Sequence, residues 1–504
     1  MKRRDFIKNI GLYSGSIALG LNSIPLKAFS SPLLLNQEQA NGKILVLLQM
    51  NGGNDGLNTL IPFEDDMYYS KRPTLSIKKD QVLALNELTG LHPSMAGLRR
   101  LYDEGKVGIV QNVGYENHNR SHFRSTDIWF SGSSANEHVH NGWMGRYLAN
   151  VYPDFLDNAP DHPMAIQLGA VESMLLQSPM GSMSVVFENP NTFHQLVNGS
   201  TADNDPPLKS LAGTELAYIR KVSAQSTRYA SVIKKSADKG KNSVTYPNSN
   251  IARQLAIVAS LIAGDLKTPV YLTTIGGFDT HANQAESHAN TLTRLSEAIA
   301  AFQKDIELLG VADKVVLMTF SEFGRRVEEN GSKGTDHGTA APLFVIGKSV
   351  AGGIIGGNPN LGQLDRNGDL LHQYDYRQIY ATIMEDHLDL NETKTKEILF
   401  SNYNKLPLFK KPQTMESTYL PLRIKQVYPN PMKQTASIDY ELTRSMNIRL
   451  SIFDLSGREV ALIQEGLQHA GRNSYFFHTT LIPGTYIIRL AGDGFNSSRK
   501  IVVV

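Results

Sequence analysis

No cysteine occurs anywhere in the 504 residues. That excludes disulfide staples, thiolate metal ligands and a cysteine nucleophile together, and leaves only oxygen or imidazole chemistry for any catalysis. Neither sign of charge dominates, with 50 Lys and Arg against 48 Asp and Glu. No basic run interleaved with aromatics is present to track phosphates, so nucleic-acid binding is excluded. The small positive excess is also local. Residues 1–30 hold Lys2, Arg3, Arg4, Lys8 and Lys27 against Asp5, a local +4, and setting them aside takes the formal +2 to −2. A long apolar run is missing as well: the N-terminal stretch from Ile10 to Ile24 is short and rich in Gly and Ser, which argues against a stable transmembrane span.

What is present is enough apolar residue, 41% of the chain, to bury a large core, and a length that suggests two or more domains. The paired Arg3-Arg4, the weakly apolar stretch after them and the small residues around Ala28 and Ser30 predict a twin-arginine signal peptide over residues 1–30. That route carries proteins already folded, which suits a domain that loads a metal before export.

Residues 41–400 read as one α/β unit. Buried strands are expected at 43–49, 107–110, 269–275, 315–320 and 342–346, and helices at 92–105, 251–262, 284–309 and 376–388. Alternation of this kind predicts a mainly parallel sheet flanked by helices. A polar stretch between 200 and 247 reads as an insertion with its own helix near 211–235. Residues 401–423 read as a linker. From 424 to 504 a period of two takes over, with turn signals at Ser456-Gly457, Ala470-Gly471 and Pro483-Gly484, as expected for a small all-β sandwich.

Polar clusters follow the expected strands, at the edge where open α/β sheets bind ligands. They are Asn51-Gly52-Gly53-Asn54-Asp55-Gly56-Leu57-Asn58, Gly276-Gly277-Phe278-Asp279-Thr280-His281, Ser321-Glu322-Phe323-Gly324-Arg325 and Gly334-Thr335-Asp336-His337-Gly338. A histidine-rich loop, Asn117 to Arg124, lies between the first two. Each has a plainer reading taken singly: a tight turn for the first, a local hydrogen bond between Asp279 and His281, an ion pair between Glu322 and Arg325, solvated loop histidines for the rest. Together, carboxylates and imidazoles delivered by separate strand ends are what a divalent metal site needs.

Two resemblances rest on these residues. The series Gly52 to Asn58, Asn119-Arg120-Ser121-His122-Phe123, Gly276 to His281, Ser321 to Arg325 and Glu329 to Gly338 resembles the bacterial domain-of-unknown-function 1501 family, which is grouped with the alkaline-phosphatase and sulfatase superfamily. The resemblance implies an alkaline-phosphatase-like α/β sandwich. It implies metal ligation, by zinc or calcium, from Asp55, Asp279, His281, Glu322, Asp336 and His337. It places Ser121, His122 and Arg124 in catalysis, and Asn54, Asn58, Arg120 and Arg325 on an anionic small-molecule or glycan ester substrate. The activity implied is hydrolysis of phosphate or sulfate esters. The alternative is a binding protein that keeps the fold without catalysis, because Glu322-Phe323 stands where the superfamily carries Asp-His. Formylglycine derived from cysteine is excluded outright.

The second resemblance is C-terminal. Tyr428-Pro429-Asn430-Pro431, Phe453-Asp454-Leu455-Ser456-Gly457-Arg458, Pro483-Gly484-Thr485-Tyr486 and the closing Lys500-Ile501-Val502-Val503 resemble the sorting domain of the type IX secretion system of Bacteroidetes. It implies twin-arginine and type IX export machinery as partners and a secreted or outer-membrane surface location. A carbohydrate-binding or adhesion sandwich is the other reading of the same strands.

Overall fold

The computed structural model describes residues 42–155, 157–198, 211–410, 421–493 and 495–504; the expected signal peptide lies outside them. The chain divides into two compact units at Lys410/Lys411.

The first unit is organised by one nine-stranded sheet. In chain order its strands are β1 Ile44–Asn51, β2 Val107–Gly114, β3 Ala165–Leu168, β4 Ser184–Phe187, β5 Val270–Gly276, β6 Val315–Phe320, β7 Ala341–Ile346, β8 Gly353–Ile355 and β9 Tyr374–Asp375. They lie in the order β8-β2-β7-β6-β1-β5-β3-β4, with β9 alongside β2. Only β7 runs against its neighbours β6 and β2, and every other pairing is parallel.

The unbroken apolar run in β1 follows from its central place. Val46, Leu48 and Met50 enter the core on one face of the sheet, and Leu45 and Leu47 enter a separate core on the other. Burying each such side chain contributes about 1.5–3 kcal/mol, so a strand covered on both faces has no polar position to spare. Helices α1 Ala96–Asp103, α2 His122–Ser131, α3 Trp143–Val151, α4 Asn250–Ala263, α5 Gln284–Leu308 and α6 Tyr376–Asp386 cover the two faces. Leu255, Val258 and Ile262 of α4 and Leu292, Leu295 and Ile299 of α5 pack into the first core. Tyr376, Ile379 and Ile383 of α6 pack into the second.

A further helix spans Leu211–Lys239 in the expected insertion. Leu406 and Leu408, in the stretch expected as linker, are buried in the second core, and the backbone of 408–410 bonds to Ser349 and Ala351. No helix among the described residues is long and apolar enough to cross a membrane.

The second unit is all β. Strands 422–428, 435–442 and 471–478 form one antiparallel sheet, and strands 459–468, 446–453, 484–492 and 495–503 form another. Alternate residues, among them Ile438, Tyr440, Ile448, Leu450, Ile488, Leu490 and Ile501, share one core between the sheets.

Candidate metal centre

The C-terminal ends of β5, β1 and β6, side by side in the middle of the sheet, present three of the polar loops to one rim. Glycines make the convergence possible. Gly52 has φ +120, and a Cβ there would come within 2.4 Å of the Asp279 backbone nitrogen. At Gly334 a Cβ would meet the His281 carbonyl at 2.3 Å. Only residues without a side chain let these loops touch.

His122, the first residue of α2, Asp279 after β5 and His337 before β7 bring one donor atom each within 4.8 Å of one another. His281 adjoins them: its Nε2 is 3.1 Å from Asp279 Oδ1 and 2.8 Å from His337 Nε2. The Nε2 atoms of His122 and His337 each stand 3.6 Å from the same Asp279 oxygen. The rim is open, with the Asp279 side chain 52% and the His281 side chain 46% exposed.

Behind each imidazole stands an acceptor. His122 Nδ1 lies 2.8 Å from Glu322 Oε1, His281 Nδ1 3.2 Å from Asp336 Oδ1, and His337 Nδ1 2.8 Å from the Arg120 carbonyl. These oxygens accept, so each Nδ1 donates and Nε2 is the nitrogen each ring turns toward Asp279. Glu322 is itself held by the Gly52 N–H at 2.8 Å and is 1% exposed. Asp336 also accepts from Asn330 Nδ2 at 3.1 Å. Phe323 packs its ring 4.8 Å from that of His122 and 4.7 Å from that of His337, a spacer beneath both imidazoles.

Charged neighbours act on two of the imidazoles in opposite directions. The hydrogen bond that His122 Nδ1 donates to Glu322 raises the His122 pKa above its ordinary value in spite of partial burial. Partial burial and the nearby Arg325 and His122 lower that of His337. Burial acts to raise Asp279, but the Arg325 guanidinium 2.7 Å away outweighs it and holds the carboxyl ionised.

A divalent cation fits this donor set. His122 Nε2 is enclosed and has no hydrogen-bond partner. His281 and His337 bring their two Nε2 atoms together at 2.8 Å, a contact that repels unless a proton or a cation lies between or beside them. Three imidazole nitrogens and one carboxylate form a set suited to zinc or a similar transition ion rather than to calcium, which takes six to eight oxygens.

The remaining expected site residues lie elsewhere in the same region. Glu322 and Asp336 stand one step back from the cluster, each behind a histidine, and not in it. Asp55 is sealed: Arg72 Nη1 reaches its carboxylate at 2.6 and 2.9 Å, Gln284 bonds its Oδ2, and both Asp55 and Arg72 side chains are wholly buried. Asn58 accepts from Arg72 and Tyr68 within the same network, and Asn54 takes bonds from Thr59 and His288. Both Asp55 oxygens are taken up inside the protein, by Arg72 and Gln284.

The arginines are also engaged. Arg325 is buried and bonds the carbonyls of Gly52, Gly53, Phe278 and Thr335. Arg120 pairs with Asp369, and Arg124 bonds the carbonyls of Ala135 and Glu137. Ser121 is exposed at the start of α2, where its side chain makes no capping bond. The buried partners Arg72, Gln284 and His288 carry no motif, and the amphipathic spacing of α5, which turns Gln284 and His288 inward with Leu292, was the one signal for two of them.

Residues 109–393 match the model of a family described as protein of unknown function (DUF1501), and residues 426–504 match that of a secretion system C-terminal sorting domain. The second match means secretion or attachment at the cell surface. No curated protein matches the chain in sequence. Among solved structures, 86% of the chain overlays 89% of a Bacteroides thetaiotaomicron protein of glycosaminoglycan metabolism, at 10% identity and a TM-score of 0.37. In a second overlay 83% of the chain covers 82% of a Vibrio parahaemolyticus protein in the alkaline phosphatase superfamily, at 9% identity and a TM-score of 0.33. A short overlay, 16% of the chain at 17% identity and a TM-score of 0.13, spans only 9% of latent PorU from Porphyromonas gingivalis. At these TM-scores the overlays carry no weight for activity.

Proposed function

The chain belongs to the DUF1501 family, whose model spans more than half of it, and from that premise we propose that it is an exported metal-dependent hydrolase of phosphate or sulfate esters. One observation carries the reading: His122, His281 and His337 face a single Asp279 oxygen with their Nδ1 protons already committed, on a rim open to solvent. A structural metal site is normally closed, whereas an accessible one leaves room for substrate.

A divalent ion held there supplies Lewis acidity and charge neutralisation at an ester oxygen. The chain's own residues do the rest. Glu322, Asp336 and the Arg120 carbonyl fix three ring orientations, and Arg325 keeps Asp279 ionised. Ser121 is an exposed hydroxyl adjacent in sequence to a donor, since His122 follows it at the first turn of α2, whereas Thr280, between Asp279 and His281, is buried and bonded to Gln284. Phe123, 86% exposed on the same turn, offers an apolar surface to the organic part of an ester. With Arg120, Arg124 and Arg325 engaged by the protein, the anionic oxygens fall to the cation and to the free N–H groups at the start of α2.

Elemental analysis of the full chain purified from its native envelope should find about one transition ion per chain, and the Asp279→Ala variant should have lost it. Turnover is then screened with aryl phosphate, phosphodiester and sulfate esters, with Ser121→Ala alongside. Metal bound without turnover of any ester would leave a metal-binding surface protein instead.

A further inference from the structure

We propose that Gln284 is a positioning residue for the metal centre: its carboxamide, oriented by the buried Asp55–Arg72 pair, sets the separation between the loop of Asp279 and His281 and the loop of His337. This rests on the metal-centre reading above and assigns Asp55 a part in it at one remove.

Gln284 opens α5 and is wholly buried. Its Nε2 donates to Asp55 Oδ2. Asp55 is a carboxylate there: burial acts to raise its pKa, but the charge and hydrogen bonds of Arg72 prevail and hold it below 3.8. A carboxylate only accepts, so the amide must turn its N–H toward Asp55 and its oxygen the other way. That oxygen accepts from two hydroxyls, Thr280 Oγ1 at 3.0 Å and Thr335 Oγ1 at 2.6 Å.

The two threonines sit where leverage is greatest. Thr280 lies between Asp279 and His281, and Thr335 comes two residues before His337. The backbone already joins them, Thr335 N–H to the Thr280 carbonyl at 3.1 Å, and the neighbouring Gln284 N–H bonds the Lys333 carbonyl at 2.9 Å. From the other side Arg325 donates to the Thr335 carbonyl at 2.8 Å, the Phe278 carbonyl at 3.1 Å and Asp279 at 2.7 Å. Both ligand loops are therefore gripped between a guanidinium and a carboxamide. Neither gripping residue is a ligand, since Arg325 reaches His281 Nε2 at 3.5 Å only as an N–H donor, yet the carboxamide fixes how far apart His281 and His337 stand. A reversed amide would set its oxygen against Asp55, so the Asp55–Arg72 pair decides which way Gln284 points.

Cobalt(II) binding to the full chain, followed by its visible absorption, tests this. Gln284→Ala should weaken cobalt affinity by about 10–100-fold, the range for lost outer partners of metal ligands, and should shift the absorption bands as the ligand geometry relaxes. Gln254→Ala removes another buried amide, one bonded to the Thr274 backbone; its affinity and spectrum should match the wild type even where its melting temperature falls. Thr335→Val should reproduce the Gln284→Ala change and Thr335→Ser should restore both readouts, which keeps the proposal testable if Gln284→Ala does not fold. Wild-type affinity and spectrum in Gln284→Ala, or in Thr335→Val, would overturn it and leave the metal centre standing. A wild-type chain that binds no cobalt would overturn both.

Discussion

Asp55 and Asp279 follow neighbouring strands of one sheet, β1 and β5, yet they live in opposite surroundings. Asp55 is closed in with Arg72, Gln284 and Asn58, every charge answered from within the protein. Asp279 is half exposed among three imidazoles, with one enclosed nitrogen unanswered. Both carboxyls are held ionised by an arginine. The difference lies in what is left over: the charges of the sealed cluster are paired within the protein, and the open one holds imidazole nitrogens crowded around one carboxylate oxygen with an enclosed His122 Nε2 unpartnered. Paired, buried charge marks a cluster that supports the fold, and crowded imidazoles open to solvent mark one that waits for a ligand.

The hardest blow to this contrast comes from the sealed side. Removing one partner of a wholly buried ion pair leaves the other uncompensated, so Arg72→Ala should cost about 3–5 kcal/mol in urea unfolding. A loss below about 1 kcal/mol would mean that Asp55 is hydrated and that the two clusters are not different in kind.

On the open side the ion should stabilise and its absence should not. Saturation with metal at about 100 times Kd adds about 2.7 kcal/mol by mass action. In Asp279→Ala that increment should vanish, while the metal-free stability stays within about 1 kcal/mol of wild type, since the residue is half exposed and its Arg325 partner keeps four carbonyls. Equal metal stabilisation of the variant would place the ion elsewhere.

Acid should find the sealed cluster through its histidines. His92 packs its ring 6.0 Å from that of His288, and burial pushes both down to about 4. Below the ordinary imidazole value of 6.5 the unfolded chain takes protons that the folded chain refuses, so stability should fall as the pH drops from about 6.5 to about 4 and then level for these groups. Asp55, held below 3.8, adds its own loss only at lower pH. The urea midpoint measured across this range should flatten in His288→Gln; an unchanged slope would remove His288 from the account.

The contrast explains what was legible in the sequence. Continuous apolar runs announced β1, β5 and β6, because a strand buried on both faces can hold little else. The short strands β3, β4, β8 and β9 escaped notice: two to four residues at or near the sheet margins carry too little pattern, and α2 and α3 lie in polar or glycine-rich stretches. Motifs brought Asp279, His281 and His337 to one rim, since a strand end plus a chemistry-bearing loop is a local signal. They could not separate Asp279 from Asp55, or a donor from the carboxylate behind it. That distinction depends on Arg72 and Gln284, which are distant in sequence and ordinary in type, and on whether water reaches the group.

The smallest expected effect bears on the nucleophile. Ser121 occupies the N-cap position of α2 without using its hydroxyl there, its backbone N–H instead bonding Asn119 Oδ1 at 2.8 Å. A capping serine is worth about 1 kcal/mol, and one that makes no cap bond has little of that to lose. Ser121→Ala should therefore shift stability by less than about 0.5 kcal/mol and leave metal affinity unchanged. Against that quiet background, a loss of ester turnover could come only from the hydroxyl itself. Unaltered turnover would move the nucleophile from the chain to water, and a large loss of stability would show that Ser121 belongs with the sealed residues after all.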